Sequence, residues 1–143
     1  MFGEERATWR TSCVSGENKA EVWHVDPNCV GLRAVGYLDL AAAKKFVALM
    51  DESVARGKPG VKFVAFCDYS GLSGADPDAR QLLQEAVKGY KEKLETIHYL
   101  VPTKLIALAV QVAGLWHGIP TKTWTSRARI ELEFVRVGAL AGK

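Results

Sequence analysis

Two serines and three carboxylates stand close together between residues 64 and 83, in the stretch VAFCDYSGLSGADPDARQLL. Ser70 or Ser73 could act as a nucleophile, and Asp68 with Asp76 or Asp78 could form an acid–base pair. A nucleophilic serine needs a base within hydrogen-bonding distance and donors for the charge that develops. The G-x-S-x-G pattern that presents such a serine is absent around both serines. We therefore expect no catalysis, unless the fold brings one of the histidines His24, His98 or His117 to this stretch.

A phosphate site is the second chemistry that this stretch suggests. Gly71 and Gly74 precede a helical pattern, and backbone N–H groups at a helix N-terminus can bind an anion. No GxxxxGK or GxGxxG motif is present, and Asp76 and Asp78 would repel a phosphate. The same residues are good helix starters, because Asp76 can cap the helix, Pro77 suits its first position and Asp78 complements its dipole. The sequence predicts a loop that leads into a capped helix, and no nucleotide cofactor.

The cysteines and histidines do not form a metal-binding pattern. Cys13, Cys29 and Cys67 are an odd number at irregular spacing, and we predict that they are buried free thiols. The three histidines lie outside any CxxC or HxxxH pattern, so we predict no metal site.

The composition favours one domain of ordinary character. The chain has 143 residues, of which 48% are hydrophobic, enough for a single core. Lys and Arg number 19 against 16 Asp and Glu, and because they are spread along the chain we predict no nucleic-acid partner. The first residues, MFGEERATWR, lack the pattern of a signal peptide, so we expect a cytoplasmic protein.

Strand and helix patterns alternate along the chain. TWRTSCV and AEVWHV flank a turn and predict a hairpin, and NCVGLRAVG predicts a third strand in which Gly31 and Gly36 indicate a bulge or a close backbone approach. VKFVAFCDY is an unbroken apolar run, typical of a central strand buried on both faces. ETIHYLV and a short segment near Lys122 add further strands. We predict an α/β fold in which helices pack on a mixed sheet of about five strands.

Four segments carry helical patterns. Asp39 caps the first, whose apolar stripe is predicted as Leu40, Ala43, Val47, Met50 and Val54. The second follows Asp78, and the third is KLIALAVQVAGLWHG. The last segment, SRARIELEF, fits either a strand or a helix capped by Thr125 or Ser126, and we favour the helix.

The third helical segment is apolar around an arc of roughly 220° on a wheel of about 100° per residue, about twice what packing on one sheet face requires. Either other parts of the chain cover it, or part of the arc contacts a second chain. For the second case we predict an interface of Ile106, Val110 and Trp116. The segment is too short to cross a bilayer, for which ~20 residues are needed.

The order of these elements resembles the STAS-type fold of anti-sigma-factor antagonists and related SpoIIAA-like proteins. The resemblance lies in VGYLDLAAAKKFVALMDESVARG, a central strand, CDYSGLSGADPDARQLLQEAV, a strand, a hydrophobic helix, a short strand and SRARIELEF. It covers residues 20–137. We therefore expect one domain over 1–143, in which 1–19 form an N-terminal strand and turn and 138–143 a tail.

The resemblance implies a regulatory module that binds another protein. In that family a serine of an Asp-Ser-Ser-Gly stretch, at the start of the second helix, is phosphorylated by a partner kinase. Here the stretch falls at Asp76-Pro77-Asp78-Ala79, which offers no serine, so we expect the usual serine switch to be missing unless Ser70 or Ser73 replaces it. The expected partner is a kinase or signalling protein, or a second copy of the chain. The expected partner-facing residues are Ser70, Ser73, Asp76 and Asp78.

A second function stays open, because SpoIIAA-like and lipid-carrier folds are similar in outline. The chain could bind a small apolar ligand or a membrane surface through LIALAVQVAGLW. This alternative predicts a sizeable apolar pocket, which an interaction module does not require.

Overall fold

The computed structural model describes the chain from residue 1 to residue 141, and the side chains in that range except those of residues 105, 111–116 and 139–141. Within this range, six strands form one mixed sheet in the order β1 to β6. The first three strands are antiparallel, and β3 to β6 run parallel. The predicted α/β class is confirmed, with one strand more than the five expected. The strands are β1 Trp9–Ser15, β2 Asn18–Val25, β3 Cys29–Leu38, β4 Phe63–Ala75, β5 Leu94–Leu100 and β6 Thr121–Trp124.

Helices connect the parallel strands and follow the last one. The four α-helices in the described range are α1 Leu40–Ala55, α2 Pro77–Gly89, α3 Lys104–His117 and α4 Arg127–Ala141. The C-terminal segment is thus the helix we favoured, and the Ser126 Oγ accepts the backbone N–H of Arg129 at 3.3 Å in its first turn. No helix among the described residues is long and apolar enough to cross a membrane.

Side chains of β4 alternate between two covered faces of the sheet. Ala65 and Cys67 join a core cluster with α1 and α2, whereas Val64 and Phe66 join a cluster with α4 and the N-terminal residues. This two-sided burial confirms the prediction of a central strand from its unbroken apolar run. The two faces are called below the α2 face and the α4 face.

The first helix begins as predicted and buries most of the predicted apolar stripe. Asp39 caps α1, because its carboxylate accepts the N–H of Ala42 at 2.8 Å. Leu40, which was assigned to the apolar stripe, is 37% exposed, while Phe46 and Leu49 are buried. Ala43 and Met50 are buried as predicted, so the predicted stripe is wrong only at Leu40. The buried face of α1 is also wider than predicted, since it includes Phe46 and Leu49. Cys29 and Cys67 are buried free thiols as predicted, and Cys13 is half-buried.

Two glycines of β3 permit close backbone approaches, as their positions predicted. A Cβ on Gly31 would lie 2.2 Å from the indole ring of the fully buried Trp23. Gly36 has φ +84° and lies against the Glu17 carbonyl. The pairing of β3 with β4 shifts register on both sides of Val35 and Gly36, so Gly36 also marks an irregular stretch of the ladder.

The N-terminal residues complete the α4 face. Phe2 is fully buried, and its ring centroid lies 5.4 Å from that of Phe66 and 6.1 Å from that of Phe134. Its backbone N–H donates to the Glu131 carboxylate at 3.0 Å, and its carbonyl accepts the Trp23 indole N–H at 3.1 Å. The segment before β1 is therefore part of the core, although no sequence pattern indicated it.

We predict that Gly31→Ala destabilises the chain by about 1–3 kcal/mol, because the added methyl group overpacks the Trp23 ring. The measurement is the free energy of unfolding in guanidinium chloride. Gly138→Ala is the matched control, because a Cβ there meets nothing within 4 Å in helix α4 and alanine favours a helix by roughly 0.5–1 kcal/mol over glycine. Equal stability of the Gly31→Ala variant and the wild type would contradict the packing described for Trp23.

Candidate functional site

The segment that the sequence assigned to a loop is the end of strand β4. It continues to Ala75, and Gly71, Leu72 and Ala75 pair with residues of β3. The loop prediction was wrong because β3 is itself extended as far as Leu38 and offers a partner for each of these residues. Gly71 allows the pairing, since a Cβ there would lie 2.7 Å from the Val35 side chain.

Ser70 lies with Asp68 on the α4 face. The buried Asp68 carboxylate accepts the Ser70 backbone N–H at 3.0 Å and the Ser70 hydroxyl at 2.5 Å. The Arg127 guanidinium donates to Asp68 at 3.3 Å and to the Ser70 Oγ at 3.3 Å. These bonds connect the end of β4 to the start of α4, and they occupy the Ser70 hydroxyl.

The other predicted partner-facing residues lie at the junction of β4 and α2. Ser73 is exposed and lines a cavity. Asp76 occupies the N-cap position of α2 and Pro77 its first position, as predicted, but the Asp76 side chain makes no capping bond. Its carboxylate accepts the Tyr37 hydroxyl instead, at 2.5 Å. Asp78 is exposed in the first turn of α2.

The cavity beside Ser73 has a volume of about 590 Å³ and lies on the α2 face, where α2 and α3 stand apart over the sheet. Small-molecule sites are typically about 300–1,000 Å³ in volume and mostly apolar. Most of the residues that line this one are aliphatic. The lining from the sheet includes Tyr69, Leu72, Ile97 and Tyr99, that from α2 includes Arg80, Leu83, Gln84 and Val87, and that from α3 includes Ile106, Ala109, Val110 and His117.

The structure places two of the three predicted interface residues of α3 at this cavity. Ile106 lines it while 42% exposed, and Val110 lines it while half-buried. The Trp116 side chain lies outside the described part of the chain. The apolar arc of α3 therefore serves at least in part to enclose a cavity within one copy of the chain.

Two tyrosines form the polar part of the cavity floor. The Tyr69 and Tyr99 rings lie 5.4 Å apart between centroids. Burial raises the pKa of both phenols well above the ordinary value, so both stay neutral hydrogen-bond donors. Tyr69 interacts with the Cys67 thiol. The Tyr99 hydroxyl has no hydrogen-bond partner among the described residues.

Sequence reasoning missed both tyrosines, although a signal was present. Within ETIHYLV, strand alternation puts Tyr99 on the face opposite to His98. Tyr69 ends the apolar run of the neighbouring strand. Each tyrosine lies near the end of an apolar run in one of two adjacent strands. This pattern could have indicated polar groups on the apolar floor of a cavity.

The three histidines do not complete a serine relay in the described part of the chain. The His24 Nε2 is 2.7 Å from the Ser53 Oγ, between β2 and α1. His98 is buried on the α4 face, where its ring stacks on Phe66 at 4.4 Å and its Nδ1 accepts the Trp124 indole N–H at 3.2 Å. His117 lines the same cavity as Ser73. No cluster of three or more potential metal ligands occurs among the residues searched.

Two solved structures have a similar fold. One is an uncharacterized protein of the DUF3478 family from Shewanella loihica PV-4, described as having a SpoIIAA-like fold; it is 16% identical, with a TM-score of 0.65, over 83% of this chain and 94% of that chain. The other is the anti-sigma factor antagonist SpoIIAA in its unphosphorylated form, which is 19% identical, with a TM-score of 0.57, over 82% of this chain and 97% of that chain. No protein-family model and no curated protein matches the sequence. The predicted STAS/SpoIIAA-like fold is confirmed, and neither similar protein is named as an enzyme.

We predict that stability falls between pH 6.5 and pH 4, mainly because of His98. Burial lowers the pKa of His98 from 6.5 to about 4, so the unfolded chain binds a proton at a pH where the folded chain does not. The contribution of neutral His98 to the free energy of unfolding is fully present above pH 6.5. About 3 kcal/mol of it is lost when the pH falls to 4. Guanidinium unfolding at several pH values measures this loss.

His98→Gln is the test variant, because glutamine keeps an acceptor for Trp124 and does not titrate. Its unfolding free energy should depend less on pH between 6.5 and 4.5 than that of the wild type. Burial also lowers the pKa of His24, so adding His24→Gln should reduce the dependence further. Glu4 titrates below this window, because hydrogen bonds from Arg33 lower its pKa. A His98→Gln variant with the wild-type slope would contradict this assignment.

Proposed function

We propose that this chain is a binding protein for an apolar small molecule, which it holds in the cavity between α2, α3 and the sheet. The observation that carries the proposal is the cavity itself, with its volume of about 590 Å³ and its mainly aliphatic lining. It corresponds to the pocket expected from the ligand-binding alternative. The proposal includes no catalytic step.

The energetics of such a site favour ligands with long apolar parts. Each methylene group moved from water into an apolar environment contributes about 0.8 kcal/mol. Eight such groups would contribute about 6 kcal/mol before the costs of ordering the ligand are subtracted. A cavity of this lining can therefore supply a large part of the binding free energy without many polar contacts.

The cavity has a route to solvent beside the two helices. Several residues that line it are also exposed on the surface, among them Ser73, Arg80 and Gln84. Ile106, on α3, is exposed as well. A ligand could enter along this side without unfolding of the sheet, because the floor residues belong to β4 and β5.

We predict that Ala109→Trp reduces binding of the neutral dye Nile red at least tenfold, because the indole ring occupies part of the cavity. Titration of the dye, followed by its fluorescence, measures the affinity. Ala48→Trp is the matched control, because Ala48 is exposed on α1 and is not a lining residue. Lack of Nile red binding by the folded wild type, or equal binding by both variants, would contradict the proposed function.

A second candidate function is regulation through binding of another protein. It is supported by the fold shared with SpoIIAA, which is named as an anti-sigma factor antagonist, and by the acidic start of α2. Ser73, Asp76 and Asp78 would contact the partner, a kinase or another signalling protein. Because Asp68 and Arg127 occupy the Ser70 hydroxyl, this function would operate without a phosphoserine switch at Ser70.

The partner could also be a second copy of the chain, bound through α3. Leu108 is 63% exposed and is not among the lining residues. If α3 is a dimer interface, light scattering gives the mass of a dimer for the wild type and of a monomer for Leu108→Glu, while both variants keep their Nile red binding. A monomeric wild type at high protein concentration would exclude self-association through this helix.

A further inference from the structure

The polar side chains that line the cavity can all donate a hydrogen bond, and those other than Arg80 can also accept one. Among the described lining residues there is no aspartate or glutamate, and Arg80 is the one with a permanent charge. The Arg80 guanidinium forms no hydrogen bond or ion pair with another residue in the described part of the chain. The described lining therefore presents a positive charge beside an apolar surface. The Asp76 carboxylate, one turn earlier at the N-cap of α2, is outside the lining and accepts the Tyr37 hydroxyl.

The floor of the cavity offers a second unused donor. The Tyr99 hydroxyl has no hydrogen-bond partner among the described residues, although burial keeps it neutral and able to donate. Tyr99 is half-buried and lines the cavity, so an oxygen atom of a bound ligand can accept this hydrogen bond.

We propose that the ligand is an acidic amphiphile, a free long-chain carboxylate, whose apolar chain fills the cavity. Its carboxylate pairs with Arg80 on α2, and the Tyr99 hydroxyl donates a hydrogen bond to the ligand. This inference rests on the proposed ligand-binding function and adds the chemical class of the ligand. An Arg–carboxylate pair is a strong, charge-assisted interaction, and a cavity without carboxylates does not repel it.

The position of Arg80 fits this role. The residue is exposed on α2, so a paired head group would stay partly hydrated while the chain enters the cavity. A deeply buried carboxylate would require a much larger desolvation cost. Gln84 lies one helical turn further along α2, where it also lines the cavity and can donate to the same head group.

The test compares dodecanoate with dodecanol as competitors of Nile red, because the two differ in the charged head group. We expect the wild type to bind dodecanoate at least tenfold more tightly than dodecanol. Arg80→Gln should bring this ratio close to one. The Nile red affinity of each variant is measured separately, and the competition constants of both amphiphiles are corrected for it. Lys88→Gln is the matched control, since Lys88 is an exposed cation of α2 that does not line the cavity, and it should keep the wild-type ratio.

Tyr99→Phe examines the second contact. Loss of one hydrogen bond should weaken the binding of dodecanoate about threefold to tenfold, and Nile red affinity should change less. The ring packing is kept, so circular dichroism should match the wild type.

Three outcomes would overturn the inference while the proposed function remains. They are equal competition by the acid and the alcohol, an unchanged ratio in Arg80→Gln, and a reduced ratio in Lys88→Gln. Sedimentation of the wild type with phosphatidylcholine–phosphatidylglycerol vesicles, without displacement of Nile red by free dodecanoate, would also overturn it in favour of a membrane surface. If neither amphiphile nor Nile red binds to the folded wild type, the proposed function itself fails.

Discussion

The burial of β4 on both faces is the constraint on which the rest of the structure depends. A strand that carries Val64 and Phe66 on one side and Ala65 and Cys67 on the other cannot be stable unless both sides are covered. The chain meets this requirement with α1 and α2 on one face and with α4 on the other. The N-terminal residues complete the second layer, because Phe2 packs against both Phe66 and Phe134.

The cavity results from the way in which this covering is distributed. The α2 face near β1 to β3 is tightly packed against α1, whose Phe46 is fully buried. At β5 the covering is incomplete, because Tyr99 on the sheet and Ala109 and Val110 on α3 line the same cavity. Among the described residues of the α3 arc, Ile106 and Val110 line this cavity, as the proposed ligand-binding function requires.

The two serines that first suggested chemistry belong to different parts of the molecule. Ser70 joins Asp68 and Arg127 on the α4 face, whereas Ser73 lines the cavity on the α2 face. Side chains three positions apart in a strand lie on opposite faces of the sheet, which agrees with the separation of the two serines. The ladder between β3 and β4 also shifts register in this part of the strand. Because the two serines lie on opposite faces, they cannot belong to one catalytic site with the nearby aspartates. Each serine lies among the residues of its own face.

The sequence by itself determined the order and type of the elements, because those depend on local patterns. The apolar run of β4, the cap at Asp39 and the start of α2 at Asp76 and Pro77 follow from interactions within a few residues. The extension of β4 to Ala75 could not be derived in this way, because it depends on the partner strand β3. The buried Phe2, the open space between α2 and α3, and the unused donors Arg80 and Tyr99 were decided by tertiary structure alone. Each of these features lies where elements distant in sequence meet. The hydrophobic periodicity of a helix or strand indicates which face is buried, but it does not determine how far that element lies from its neighbours.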